Sequence, residues 1–228
     1  MAAPAIGVRR RFVPSSASVD WSHPLAQGLQ FCGVSSLGLD LAKNRIGSVS
    51  GHTNTSSVYG PTKLVSWTNA QTTDLAFTSG PYTIATASVL SANNTYYASM
   101  DRSVYVSESN SQGWAMQSRP NSDARPGLSS ISLRNNSVAN YVIHTGTLAP
   151  LGSYVHLVRS NGLNLRELFV DGLRRATNAN NANPVSSSAN LTMTVTSFTV
   201  TLGLCWSRSL SDNEIAMLTA DPFCFLRY

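Results

Sequence analysis

Charge is scarce in this sequence. Of 228 residues only 27 are ionised at neutral pH, 16 Lys plus Arg against 11 Asp plus Glu. Just 2 of the basic residues are lysine, and only 3 of the acidic ones are glutamate (Glu108, Glu167, Glu214). Without charged e and g positions a coiled-coil fibre is excluded. Long apolar runs are also missing: none approaches the ~20 residues that cross a bilayer. Arg9, Arg10 and Arg11 are followed by no apolar h-region, which argues against a signal peptide. Cysteine is sparse, with Cys32, Cys205 and Cys224 widely spaced and no CxxC pair. That excludes a disulfide framework or a thiolate zinc site and leaves small buried hydrophobes in a reducing compartment.

Small polar residues take the place of charge: 34 Ser, 19 Thr and 18 Asn make up 71 of 228 positions. Such side chains compete for backbone hydrogen bonds and favour strands, turns and caps over helix interiors. The 42% apolar share is still enough for a full core, so one large β domain is the expectation. The net charge is +5, but residues 1–11 hold three arginines and no acid, and the remainder carries 13 basic and 11 acidic groups. No basic stripe of the kind a nucleic-acid groove needs is visible in the body. Interfaces deplete Lys and Glu and enrich Arg, so the imbalance suits a protein packed against neighbours. An arginine-preferring genome would give the same bias.

Residues 1–20 lack periodicity and read as an extended arm, leaving residues 21–228 as a single domain. From Trp21 onward short β-type runs alternate with Gly, Pro, Asn and Ser. Strands are expected at 29–34, 62–68, 82–90, 96–99, 103–107, 113–117, 128–134, 137–144, 154–160, 165–170, 191–195 and 198–206. Regular short strands with turn signals between them imply an antiparallel sandwich or barrel. Asp171-Gly172 between apolar strand ends predicts a two-residue hairpin turn. Ser211-Asp-Asn-Glu214 is a capping-box pattern opening a short helix, which Asp221-Pro222 ends. Residues 178–188 form a Ser/Asn/Ala-rich loop.

Several blocks, taken in order, resemble one family. They are Asp20–Leu29 (DWSHPLAQGL), Tyr154–Arg159 (YVHLVR) with Leu168–Gly172 (LFVDG), and Leu204–Ser211 (LCWSRSLS) followed by Glu214-Ile215 and Asp221-Pro222-Phe223. Together they are similar to phage-encoded proteins with a laminin-G-like, concanavalin-A-like jelly roll. Residues 45–145 contribute no matching motif. The resemblance implies an all-β fold: a two-sheet antiparallel β-sandwich, one short C-terminal helix closing one end, and an extended N-terminal arm. It assigns Trp21 and Trp206 to the core. It also implies a non-enzymatic structural component of a tailed-phage virion, assembled in the bacterial host cytoplasm. A capsid decoration or cement protein is favoured, because the matched domain fills nearly the whole chain. Its partners would be other capsid or tail subunits, contacted through Arg9, Arg10 and Arg11 by bidentate pairing with carboxylates. A homo-oligomer is expected on general grounds. The alternative is a glycan-binding adhesin on the tail or head surface, contacting host polysaccharide.

Glycoside hydrolysis needs two carboxylates ~5–9 Å apart, yet Glu108 and Glu167 are isolated and the sole i, i+2 acid pair, Asp212/Glu214, belongs to the helix cap. No Gly-x-Ser-x-Gly elbow accompanies His23, His52, His144 or His156; His156 is expected to be a hydrogen-bonded structural histidine. No loop collects the several acids of a legume-lectin metal site, so no metal or cofactor is expected. A single calcium on one aspartate plus carbonyls remains an alternative, at Asp74, Asp101 or Asp123. For metal-free sugar binding the candidates are Trp67, Trp114, Tyr96 and Tyr97, with Tyr105 nearby, although core packing is the simpler account of the two tryptophans.

Overall fold

The computed structural model describes residues 17–54, 62–90, 97–104, 112–119, 127–133, 140–144, 151–179, 183–184, 186–193 and 198–227. In chain order the strands are β1 (Ser18–Val19), β2 (Leu29–Val34), β3 (Leu39–Asp40), β4 (Arg45–Ile46), β5 (Ser48–Asn54), β6 (Thr62–Trp67), β7 (Tyr82–Leu90), β8 (Tyr97–Val104) and β9 (Gln112–Arg119). They continue with β10 (Gly127–Leu133), β11 (Asn140–His144), β12 (Gly152–Ser160), β13 (Arg166–Val170), β14 (Leu173–Asn178), β15 (Leu191–Met193) and β16 (Phe198–Trp206), then helix α1 (Asp212–Ala220) and β17 (Leu226–Arg227). A seven-stranded front sheet runs β11-β10-β9-β8-β15-β6-β5, and an eight-stranded back sheet runs β14-β13-β12-β7-β16-β2-β3-β4. Every pairing is antiparallel. The chain is an all-β sandwich with one short C-terminal helix, as its composition required.

Two apolar cores flank the back sheet. Between the sheets lie Phe31, Trp67, Ile84, Trp114, Met116, Val158, Leu168 and Cys205. On the far side of the back sheet, Ala85, Ala87, Val155, Leu157, Leu202, Leu204 and Trp206 pack under Ile215 and Leu218 of α1 and under Val19, Leu25, Phe223, Phe225 and Leu226. Alternate residues of one strand therefore enter different cores. The helix covers a sheet face instead of closing one end, contrary to the expectation from the sequence. Ile215 and Leu218 give α1 a narrow apolar stripe, and the open face of the back sheet is where that stripe is buried. The sheets approach closely at Gly203, where a Cβ would stand 2.7 Å from Met100 Sδ and 2.9 Å from Met193 Sδ.

Runs expected at 96–99 and 103–107 are one strand, β8. The charged Asp101-Arg102 pair looks like a break, but Asp101 faces outward and Arg102 inward, and a register shift between Ala98 and Met100 absorbs the irregularity. The two-residue β3 and β4 and the seven-residue β5 carry no clear apolar run, and β4 and β5 each form one edge of a sheet. Cys32 and Cys205 are buried and free, facing opposite cores, so neighbouring strands do not bring their thiols together.

Local signals behave as read. Asp171 and Gly172 both take positive φ, +50° and +74°, and Asp171 Oδ1 accepts from Val155 N at 2.8 Å, tying the turn to β12. Ser211 Oγ accepts from Glu214 N at 3.3 Å while Glu214 Oε2 accepts from Ser211 N at 2.8 Å. Arg208 closes on the same carboxylate at 2.6 Å, and its guanidinium, then the Ser211 bonds, hold Glu214 down to a pKa of about 2. The chain is clasped by β1 pairing with β17. Because the Ser211 cap satisfies one of the helix's orphan amides, Ser211→Ala should lower stability by about 1 kcal/mol in urea denaturation; an unchanged midpoint would show that Arg208 and Glu214 hold α1 unaided.

Candidate functional site

Of the four tryptophans, three are interior. Trp67 is 0% exposed, Trp114 1% and Trp206 0%, whereas Trp21 is 56% exposed. Trp67 meets Phe31 edge-on at 4.9 Å and donates from Nε1 to Arg45 O at 3.3 Å. Trp114 donates to Leu75 O at 2.7 Å and lies 6.0 Å from the Phe77 ring, which stacks on Tyr82. Neither can offer a face to a sugar; both serve the inter-sheet core. Tyr96 and Tyr105 lie outside the described residues, as do Arg9, Arg10 and Arg11, and of Tyr97 only the backbone, in β8, is described. The assignment of Trp21 to the core is overturned. Its block reads as an apolar entry motif, but the core-facing residues there are Val19, Leu25 and Ala26.

Trp21 stands on a turn braced from both sides. Asp20 Oδ1 accepts from Ser22 N at 3.0 Å and Ser22 Oγ at 2.6 Å, and Arg227 Nη2 donates to the same oxygen at 2.6 Å. Arg227 also reaches Ser22 Oγ at 3.4 Å. The Ser22 hydroxyl first, then Arg227, holds the Asp20 carboxyl down to about 2. Behind the turn His23 Nδ1 accepts from Leu25 N at 3.2 Å, and Arg208 donates to Gln27 O at 2.7 Å and Pro24 O at 3.0 Å. Trp206 Nε1 pins Leu25 O at 2.6 Å. An exposed indole is thus carried on backbone that its neighbours fix.

The acidic side chains are engaged elsewhere. Glu167 accepts from Arg159 at 2.5 Å and Arg174 at 2.8 Å; burial raises its pKa, but these two arginines bring it below the ordinary value. Arg159 also reaches Asp212 at 2.6 Å and lies 4.9 Å over the Phe169 ring. Arg45 joins Asp40 at 3.1 Å and Asp74 at 2.8 Å, and donates to the carbonyl of Gln71. This hub ties the β3–β4 edge to the loop after β6. Asp123 lies outside the described residues, and among these no group of three or more His, Cys, Asp or Glu side chains could hold a metal ion.

Arg102 and His156 are among the buried groups that break the usual rule that interior polar atoms are paired. Arg102 is buried on the inter-sheet face with one bond, Nη2 to Asn69 Oδ1 at 2.7 Å, and no partner at Nε or Nη1. His156, expected to be hydrogen-bonded, is buried with neither ring nitrogen partnered. It pairs in register with Thr86, whose hydroxyl is equally unpartnered. Side-chain size and alternation place His156 inside; nothing in the sequence shows that no acceptor awaits it.

No family model and no curated protein matches the chain. Solved structures do. The botulinum neurotoxin serotype C1 binding domain is similar with a TM-score of 0.61 at 13% identity, matching 86% of this chain and 52% of that one. The binding domain of botulinum neurotoxin DC, solved in complex with rat synaptotagmin II, gives 0.60 at 12% identity, matching 85% and 51%. A structure titled as showing that cell entry of botulinum neurotoxin type C depends on interaction with two ganglioside molecules gives 0.60 at 12%, again 85% and 51%. The shared property is the sandwich fold. This chain spans about half the length of the toxin chains it matches.

Burial alone pushes the His156 pKa down to about 3. The unfolded chain, with an ordinary value near 6.5, takes up a proton that the folded chain refuses. Stability contributed by the neutral ring is therefore complete above about pH 6.5 and is lost as pH falls below it. The carboxylates held low, such as Glu214, act at more acid pH, which leaves the interval from pH 6.5 to 5 to histidine. Urea midpoints should fall across that interval in the parent protein and fall less in His156→Leu; parallel curves would mean that His156 does not stay neutral in the folded state.

Proposed function

We propose that this chain is a non-enzymatic binding module for surface glycans, with Trp21 as its aromatic platform. The observation that carries the reading is the solvent-facing indole on a turn stapled by Asp20, Ser22 and Arg227. A rigid aromatic face beside a guanidinium is a sugar-contacting arrangement, because C–H faces stack on the ring while the N–H groups that Arg227 does not give to Asp20 and Ser22 engage hydroxyls. Structural neighbours that are binding domains, one titled for its dependence on gangliosides, support a saccharide ligand. The engagement of Glu167, Asp212 and Glu214 in ion pairs and a helix cap supports binding without hydrolysis. Host polysaccharide is the ligand class that follows if the chain serves as an adhesin.

A second reading keeps the chain as a structural component of a tailed-phage virion, held to capsid or tail subunits by its arm. Its support is the ordered set of phage-like blocks and the scarcity of lysine and glutamate. The two readings meet in an adhesin mounted on the particle surface. Head or tail placement, oligomerisation and assembly in the host cytoplasm belong to this proposal.

On an array of bacterial surface polysaccharides the purified protein should bind, and Trp21→Ala should weaken binding at least tenfold. Its stability should stay within about 0.5 kcal/mol of the parent, as for an exposed site. Trp67→Ala and Trp114→Ala should instead cost about 3–5 kcal/mol of folding stability. Retained affinity in Trp21→Ala would remove the platform, and silence across the array would remove the glycan reading. For the virion reading, deletion of residues 2–15 should abolish incorporation into particles while the body stays folded; normal incorporation would refute anchoring by the arm.

A further inference from the structure

The hydrogen bonds around Trp21 fall unevenly on the groups that make them. His23 N donates to Asp20 O at 3.0 Å, closing a four-residue turn with Trp21 at its first corner. Asp20 Oδ1 takes every donor at hand: Ser22 N, Ser22 Oγ and Arg227 Nη2. No donor among the described residues reaches Oδ2. The Asp20 side chain is 24% exposed, and Oδ2 is not one of the buried unpartnered atoms, so solvent reaches it. Trp21 and Ser22 are exposed, as is the Arg227 side chain at 64%. A four-residue turn keeps its ends within about 7 Å, which places these groups within the span of one or two sugar rings.

Arg227 is engaged at one nitrogen. Nη2 reaches Asp20 Oδ1 at 2.6 Å and Ser22 Oγ at 3.4 Å, which accounts for both of its hydrogens. A guanidinium grips a carboxylate through two parallel N–H groups, and both edges that offer such a pair include Nη2. The fork is therefore closed to a second carboxylate, while Nη1 and Nε keep single N–H groups free among the described residues. The Ser22 hydroxyl first, then Arg227, holds the Asp20 carboxyl at about 2, so it is ionised at neutral pH. An incoming anion finds a one-point contact with the guanidinium and a fixed negative charge beside it. A neutral hydroxyl meets neither obstacle.

We infer that the Trp21 turn selects neutral saccharides over carboxylated ones, with Asp20 Oδ2 and the free N–H groups of Arg227 reading adjacent sugar hydroxyls beside the indole. A hydroxyl both donates and accepts, so a vicinal pair gives one proton to Oδ2 and takes one from Arg227. The C–H face of the same ring packs on Trp21. The inference rests on the glycan reading and narrows it: Asp20 is a ligand-contacting residue and not only a brace for the turn. Overall charge works the other way, since a chain of net charge +5 attracts acidic polymer. Rejection of acids must therefore come from the site.

The test uses the full chain and pairs of polymers: each neutral polysaccharide bound on the array, beside the same polymer oxidised at C6 to the uronate and immobilised at equal density. The parent should bind the carboxylated form about tenfold more weakly at low salt, the loss expected from one fixed charge close by. This comparison needs no variant. Asp20→Asn keeps an acceptor for Ser22 and Arg227 but removes the charge, and should erase most of the difference. A parent that binds the carboxylated form as tightly as the neutral one, or that binds only acidic polysaccharides, would overturn this inference and leave the glycan reading standing. So would an unchanged ratio in Asp20→Asn, provided that the variant keeps the parent's near-ultraviolet dichroism. A parent that binds no polysaccharide at all would overturn both.

Discussion

The middle of the back sheet has no wet face, and that constraint shapes much of the rest. β7, β12 and β16 run through the middle of the molecule with one core on each side. Strands buried on both faces are poor in charge: β7 reads Tyr-Thr-Ile-Ala-Thr-Ala-Ser-Val-Leu without one, and Arg159 of β12 is paired with Glu167 of β13. The low charge of the whole sequence follows from how much of the chain is layered between other layers.

Much of the fold was readable from residue order. β2, β7 and β16 have the bounds their apolar runs suggested, and the Asp171-Gly172 turn and the Ser211 capping box fold as their spacing requires. These are local signals, fixed by backbone sterics and by hydrogen bonds between residues close in sequence. What could not be read depends on layers. Trp21 and Trp206 belong to equally apolar blocks, and only the packing of α1 and the chain ends over the back sheet decides that one is covered and the other left out. Whether α1 lies on a face or at an end is likewise a property of the assembled sheet.

The site was legible only in outline. The sequence suggested an aromatic platform with amides and hydroxyls nearby, but Trp67 and Trp114 are core residues: Trp67 alternates with the partly exposed Ser66, and Trp114 lies in a stretch, 113–117, buried at every position. Asp101 looked like a stray acid interrupting β-type sequence. It pairs with Thr192, almost a hundred positions later, and such long-range register is encoded by no local pattern.

The clasp between β1 and β17 has a mechanical consequence. Ser18 lies against Arg227 and Val19 against Leu226, so the outer ends of the two strands sit side by side. Tension applied through those ends would peel this short ladder one pair at a time, the weakest direction in which antiparallel strands can be pulled. The load would reach the Asp20–Arg227 contact before the sandwich. A tug on both ends would therefore slacken the turn under Trp21 while both large sheets stay shut.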